Sequence, residues 1–362
     1  MSEIYDLAVI GAGPAGTACA IAAARAGLRV ALVERAVFPR HKVCGDCLNP
    51  SVWPVLEALG TAPAVRALAH AALHHVRFVD LKGRPLEVPL PPDAERAVTR
   101  ESFDAVMLQA ALDAGVVLFA GAPLTGLSAN PQGWDLSTSQ TTLTARCLTA
   151  ADGRNSTTCR LLGIAPHARA GRVALQCHAP LAPSYQGTVA LELLPHGYCG
   201  IAPVDDQRMN LCLVSENRHL AETKATVQKR FGLSADQAWH SMAPLERPAL
   251  APVPRPGCFL AGDAARVVEP FTGEGIYYAL RSGQLAAAAA VAWCSPASRA
   301  TAGRAYTLAH RQLYRHRLWV NRLSRLAVTQ RHLGSLLLAL GRPFPSLLRH
   351  LTAKVTGSLP PA

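Results

Sequence analysis

The stretch DLAVIGAGPAGTACAIAAARAGLRVALVER, residues 6–35, restricts the possible folds more than any other part of this chain. Leu7 to Ile10 is an apolar run with the length of a buried strand, and Thr17 to Ala26 is built from small residues that suit a closely packed helix. Between them Gly11, Gly13 and Gly16 stand in GxGxxG spacing, with Ala15 before the third glycine. In such a turn the first glycine permits the sharp reversal. The second lets backbone approach a pyrophosphate, and the third lets helix and strand close up. Phosphates then lie over the helix N-terminus, where unpaired N–H groups and the helix dipole favour negative charge. A second strand, Val30 to Val33, ends in Glu34, placed to accept hydrogen bonds from a ribose, with Arg35 beside it. Strand, glycine turn, helix, strand and acid in this order predict a Rossmann-like α/β unit holding a dinucleotide.

A chain of 362 residues has room for two domains, or for one large domain with an insertion. Half of its residues are hydrophobic and 17% are charged, so a sizeable core is expected and disorder is not. No signal peptide is expected, because the first apolar run is short and leads straight into the glycine turn. The longest uncharged apolar stretch, Leu285 to Cys294, falls far below the roughly 20 residues of a membrane span. Ten cysteines without a disulfide framework suit reduced thiols and a cytoplasmic protein. Charge is distributed unevenly. Met1 to Glu274 carries 24 Lys and Arg against 24 Asp and Glu, whereas the remainder carries 12 Lys and Arg and no acid, so the whole net charge of +12 lies after Glu274.

Two later segments repeat the motif of a strand ending in an acid. LTAADGRNSTTCRLLG, residues 148–163, reads as a strand running to Asp152-Gly153, then a turn and a helix. CFLAGDAARVVEPFTGEGIYYAL, residues 258–280, reads as a buried strand ending in Gly262-Asp263, followed by the Pro270-x-x-Gly273-x-Gly275 turn and a helix. An acid at a strand's C-terminal edge suits a ribose or ribityl hydroxyl. N–H groups at a helix start suit an electron-rich ring edge.

Together the three segments resemble the FAD-binding signature of flavoproteins built on the para-hydroxybenzoate hydroxylase fold, of the glutathione-reductase type. Within that superfamily, TGEGIYYALRSG and FPRHKVCGD, residues 272–283 and 38–46, resemble most closely the geranylgeranyl reductase branch. The resemblance implies that Gly262 and Asp263 meet the ribityl–pyrophosphate, and that Gly273 to Ile276 present amides to the pyrimidine side of the isoalloxazine. It also implies that Arg100, at a helix start, lies near the cofactor, and that Cys44-Gly45 lies over the flavin. Cys44 is then a proton donor, a wall of the pocket, or a small packed residue. Asp46 stands where the prenyl reductases most often carry glycine, which would put an acid near the ring. In GYCGIAPVDDQRMNLCL, residues 197–213, Gly197, Tyr198, Pro203 and Asn210 match the branch's substrate-sheet motif, with Tyr198 as a pocket wall, but Gly200 stands where tryptophan is expected.

The expected organisation is a discontinuous FAD-binding domain (1–69, 97–163 and 252–292), an antiparallel substrate-binding β-sheet domain (70–96 and 164–251), and a basic helical tail (293–362). FAD is expected to bind tightly and noncovalently, with NAD(P)H as a transient electron donor. The expected reaction is reduction of C=C bonds in a lipophilic, isoprenoid- or polyene-like substrate. The alternative is hydroxylation of an aromatic or carrier-bound substrate by an FAD-dependent monooxygenase. The motifs that bind flavin serve either chemistry. A flavin-dithiol exchange at Cys44 and Cys47 is disfavoured, because no second glycine-rich dinucleotide unit accompanies them. No Trp-x-Trp motif of the flavin halogenases occurs, and His74-His75 and the tail histidines lack metal spacing with Cys or carboxylate, so no metal is expected. The all-basic tail sets Arg beside Leu, Val and Trp319 at helical spacing. That suits amphipathic helices packed on the FAD domain, or docking to an anionic membrane surface or an acidic acyl carrier protein. The membrane case would place the protein at the inner face of the membrane. Nucleic acid is not an expected partner, since no recognition motif accompanies the charge.

Overall fold

The computed structural model describes residues 4–90, 95–166, 171–315 and 318–343. Its first sheet has the strand order Val117–Phe119, Val30–Val33, Ile4–Ile10, Thr142–Ala150, Gly133–Thr138, Leu124–Asn130, with Cys258–Leu260 also pairing with Thr142–Ala150. The strands at its centre run parallel, Leu7 beside Val30 and Cys147, and Ala150 beside Leu260. Parallel strands need cover on both faces, and their near-continuous apolar sequence reflects that burial. Helices Pro14–Arg25, Arg100–Asp113 and Gly275–Cys294 cover one face. The antiparallel meander through Trp134, Leu136 and Leu143 helps to cover the other. That meander was not expected from the sequence.

The alanine-rich run of helix Gly275–Cys294 exists because this helix crosses Pro14–Arg25 at very short range. A Cβ on Gly283 would sit 2.2 Å from the Ala15 carbonyl oxygen. Only hydrogen or methyl side chains fit such a crossing.

The second sheet has the order His240–Met242, Arg172–Pro180, Arg208–Glu216, Gly197–Pro203, Thr188–Leu194, His75–Val79, Pro85–Pro89. It is antiparallel through the five strands from His240–Met242 to Thr188–Leu194, while His75–Val79 joins Thr188–Leu194 in parallel. Cross-strand register puts Ala174, Val214, Tyr198 and Leu193 in one row of a single face, and Gln176, Cys212, Gly200 and Leu191 in the next. The opposite face, with Leu175, Cys177, Leu211 and Leu213, packs against Val227 of helix Leu220–Arg230.

The basic tail is helical at Arg299–Arg315, Leu318–Thr329 and Arg331–Gly341; residues 344–362 lie outside the described residues. Its first helix is part of the cofactor lobe. Tyr306 donates to the Leu260 carbonyl at 2.6 Å, and Tyr314 stacks on Tyr278 with ring centroids 4.6 Å apart. The last two helices lie against the second sheet. There Arg325 pairs with Glu246, Arg331 with Glu216 (3.2 Å) and Arg342 with Asp80 (3.3 Å). Part of the tail's charge is therefore spent inside the molecule, pairing with acids of the neutral first 274 residues.

His310, between Tyr306 and Tyr314, has no partner for its buried Nε2. Burial, and then the Arg266 guanidinium, push its pKa from 6.5 down to about 4. The folded state thus resists a proton that the unfolded chain accepts. Stability present above pH 6.5 is lost as pH falls through 4, by about 3 kcal/mol. His310→Phe should flatten that part of the curve in denaturation at pH 7 and pH 4.5. Identical pH dependence in the two proteins would remove His310 from the account.

Candidate active site

A cavity of about 430 Å³ runs from the glycine turn to the second sheet. At one end it is lined by Gly11, Gly13, Ala15, Glu34 and Arg35, at the strand ends where an open parallel sheet leaves its crevice. Gly16 lies beneath this wall and packs on Gly11, which adopts φ +98°. The Glu34 carboxylate accepts from the amides of Ala12 (2.7 Å) and Ala36 (2.9 Å), which stiffens the turn.

Midway, Asp152, Gly262 and Asp263 come together although the sequence separates them by more than a hundred residues. The Asp152 carboxylate is turned to its own helix, accepting from Ser156 Oγ (2.6 Å), Thr158 N (2.9 Å) and Thr158 Oγ1 (3.0 Å). It shapes the turn. Asp263 accepts from Arg154 Nη2 at 3.1 Å, and the Nε and Nη1 of that buried arginine have no partner. Buried guanidinium donors left open at a cavity wall suit an anionic ligand. Arg40, Lys42 and Arg100 line the same stretch. Burial, with Arg100, Arg40 and Arg154 nearby, holds the Lys42 pKa below its ordinary value.

Arg100 is placed by charge as well as by the helix. Its Nε and Nη2 donate to Asp104 at 3.0 and 2.7 Å, and Arg40 Nη1 approaches the same fully buried carboxylate at 3.1 Å. Pro270, Gly273, Gly275 and Ile276 line the cavity near its second-sheet end. Gly273 adopts φ +66°, and Cβ atoms added at Gly45, Gly273 and Gly275 would meet nothing within 4 Å. These glycines leave backbone open to a ligand. Orphaned cationic donors, open glycine amides and an elongated shape together fit FAD.

Cys44 and Gly45 line the wall between the two lobes. The second sheet grips Cys44 by its backbone: its N–H donates to Gln176 Oε1 (3.1 Å), and its carbonyl accepts from Asn210 Nδ2 (2.8 Å). Burial raises the thiol pKa, against the opposing pull of Arg100, so Cys44 stays a neutral thiol at neutral pH. Cys47 also lines the cavity, and the two cysteines are not joined in a disulfide.

Two expected catalytic residues do not line the cavity. Asp46 lies behind the loop, with a left-handed backbone (φ 54°) that no other described non-glycine residue adopts. Its carboxylate accepts from Arg100 N (3.1 Å) and Gln176 Nε2 (3.1 Å) and meets His178 Nε2 at 3.0 Å. The glycine of the prenyl reductases suits that backbone conformation. Here an aspartate adopts it and ties the loop to both lobes. Tyr198 is buried one layer behind the wall, edge-on to Phe271, with its hydroxyl 3.4 Å from Glu269 Oε1. Burial, then the Glu269 charge, push its pKa well above the usual phenol value.

Sequence reading missed Arg154, Gln176, His178, Glu269 and Asn321, because nothing in their local spacing marks them. The apolar end of the cavity is lined by Val43, Ala174, Cys212, Val214, Met242 and Leu245.

Residues 5–287 match a family model described as an FAD binding domain. A menaquinone reductase of Mycolicibacterium smegmatis is 32% identical over 316 residues, covering 79% of this chain and 76% of that protein. A geranylgeranyl diphosphate reductase of Rhodobacter capsulatus is 27% identical over 313 residues, covering 80% and 75%. Among solved structures, p-nitrophenol 4-monooxygenase from Pseudomonas putida shares the fold with a TM-score of 0.79 at 15% identity, covering 98% of each chain. The chain belongs to the FAD-binding-domain family, and it is an FAD-dependent oxidoreductase.

Proposed function

We propose that the protein reduces C=C bonds of a lipophilic, isoprenoid- or polyene-like substrate, with NAD(P)H as electron donor. The observation that carries this reading is the neutral Cys44 thiol, gripped by Gln176 and Asn210 where the cationic cofactor end of the cavity meets its apolar end. Reductases named for menaquinone and geranylgeranyl diphosphate among its relatives support it. FAD held in this cavity would supply hydride chemistry toward one carbon of the double bond. Cys44 gives its proton to the other, and the Arg100 guanidinium stabilises the thiolate until it recovers a proton from water. Val43, Ala174, Val214, Met242 and Leu245 hold the substrate chain and exclude water. Gln176, Asn210 and Asp46 are positioning residues.

Cys44→Ser should lower turnover about 100-fold while leaving the rate of flavin reduction by NAD(P)H unchanged, because a proton donor acts only after the cofactor is loaded. Asn210→Ala should do the same more weakly. Turnover unchanged in Cys44→Ser would demote the thiol to packing.

The second reading is O₂-dependent hydroxylation. It is favoured by Gly200, which puts no side chain beside Cys212 and Leu191 where the reductase pattern expects an indole. Reduced enzyme mixed with candidate polyprenyl alkenes and with phenols, with and without O₂, separates the two. Alkene reduction without O₂ supports the proposal, and product that appears only with O₂ replaces it.

A further inference from the structure

The tail sorts its charges and its leucines by direction. Helices Leu318–Thr329 and Arg331–Gly341 turn their inner faces to the second sheet, where Val328 and Leu338 join the cluster around Tyr198 and Leu193. Ser335 Oγ accepts from Leu81 N at 3.0 Å, and the paired Arg325, Arg331 and Arg342 face the same lobe. The two helices meet so closely that a Cβ on Gly334 would lie 2.3 Å from the Ala327 oxygen. Six large apolar side chains remain outward. Trp319 (49% exposed), Leu323 and Leu326 repeat at i, i+4, i+7, and Leu336 (53%), Leu337 and Leu340 (59%) repeat at i, i+1, i+4. Exposed Arg322 shares a helix with Leu323, and Arg311 and Arg315 are exposed on the helix that precedes it in the chain; none of the three has an acidic partner among the described residues.

We propose that this helical pair is a docking face for an anionic lipid leaflet. Leucines and a tryptophan would enter the headgroup boundary while arginines meet the lipid charge. Charge selects this occupant. The same face of a second copy, or the chain's own residues 344–362, would bring only further positive charge to the arginines, since no acid follows Glu274. An acidic carrier protein answers the arginines, but six large apolar side chains on two helices suit the acyl boundary of a leaflet better. The proposal goes beyond the reaction proposed above and is read without turnover.

The test uses the full-length FAD-loaded protein and vesicles of phosphatidylcholine with or without phosphatidylglycerol. Wild type should sediment with the anionic vesicles and not with the neutral ones, with a blue shift in tryptophan emission that Trp319→Phe removes. Raising salt from 0.1 to 0.5 M should weaken binding at least tenfold. Arg311→Gln, Arg315→Gln and Arg322→Gln together should weaken it on the order of 100-fold. Leu323→Ser, Leu336→Ser and Leu340→Ser together should abolish it while flavin absorbance and helicity stay unchanged. Three outcomes would overturn the proposal: no binding to anionic vesicles at low salt, binding only to an acidic acyl carrier, or a dimer that the leucine variant makes monomeric.

Discussion

Gly16→Ala is expected to yield a destabilised protein that purifies without flavin, whereas Gly13→Ala is expected to stay folded and bind FAD weakly. The two glycines lie three residues apart in one motif, but their surroundings differ. A Cβ on Gly16 would sit 1.7 Å from the Gly11 carbonyl oxygen and 2.9 Å from its carbon. Neither is a side chain that can swing away, so helix and strand must separate. Overpacking costs 1–3 kcal/mol and occasionally more, and here it also displaces the backbone facing the pyrophosphate. A Cβ on Gly13 meets only Arg40 Nη2, at 3.7 Å, on the cavity side. It fills space meant for the ligand without straining the fold. Thermal melts together with absorbance near 450 nm read both effects. A Gly13→Ala protein with wild-type flavin content would show that the cavity mouth is not where the cofactor's phosphates lie.

Glu269→Gln is expected to destabilise the protein by about 3 kcal/mol and to loosen FAD, although Glu269 does not line the cavity. Its carboxylate meets Arg172 in a buried two-pronged pair at 3.2 and 2.7 Å, beneath the Tyr198 hydroxyl. Its backbone N–H donates to Asn321 Oδ1 at 2.6 Å, and Asn321 Nδ2 donates to Glu274 at 3.2 Å. One tail residue thus braces both ends of the turn that carries Pro270 and Gly273. Removing one partner of a buried pair leaves the other charge stranded, which costs about 3–5 kcal/mol. The low end applies because Glu246, on the far side of Arg172 at 2.8 Å, retains part of the compensation. Replacing both partners, Glu269→Leu with Arg172→Met, should restore most of the stability, because no uncompensated charge remains. Denaturant titration with flavin fluorescence reads the loss. A cost below 1 kcal/mol would mean that water or Glu246 alone satisfies Arg172.

The cofactor unit was legible because its requirements are local. A turn that admits a pyrophosphate needs glycine at set intervals, and strand, turn, helix and acid lie within residues 6–35. The Gly262-Asp263 strand end and the Pro270 to Ile276 turn were legible for the same reason, and the structure sets them on the same cavity. The chemistry beside them was not legible. Cys44 is held by Gln176 and Asn210, more than 130 residues away, and the flavin-side turn is braced by Asn321 from the tail. Such contacts depend on which strands pair and in what register, and a one-residue shift would turn Gln176 to the opposite face. The sequence put Asp46 near the ring and Tyr198 in the pocket wall by their neighbours in the chain. The tertiary structure set both behind the wall, because a buried carboxylate and a buried phenol must first satisfy their own hydrogen bonds. The tail shows the same division. Its composition alone established an all-basic surface, but only packing decided which arginines answer the sheet's acids and which stand outward with the leucines.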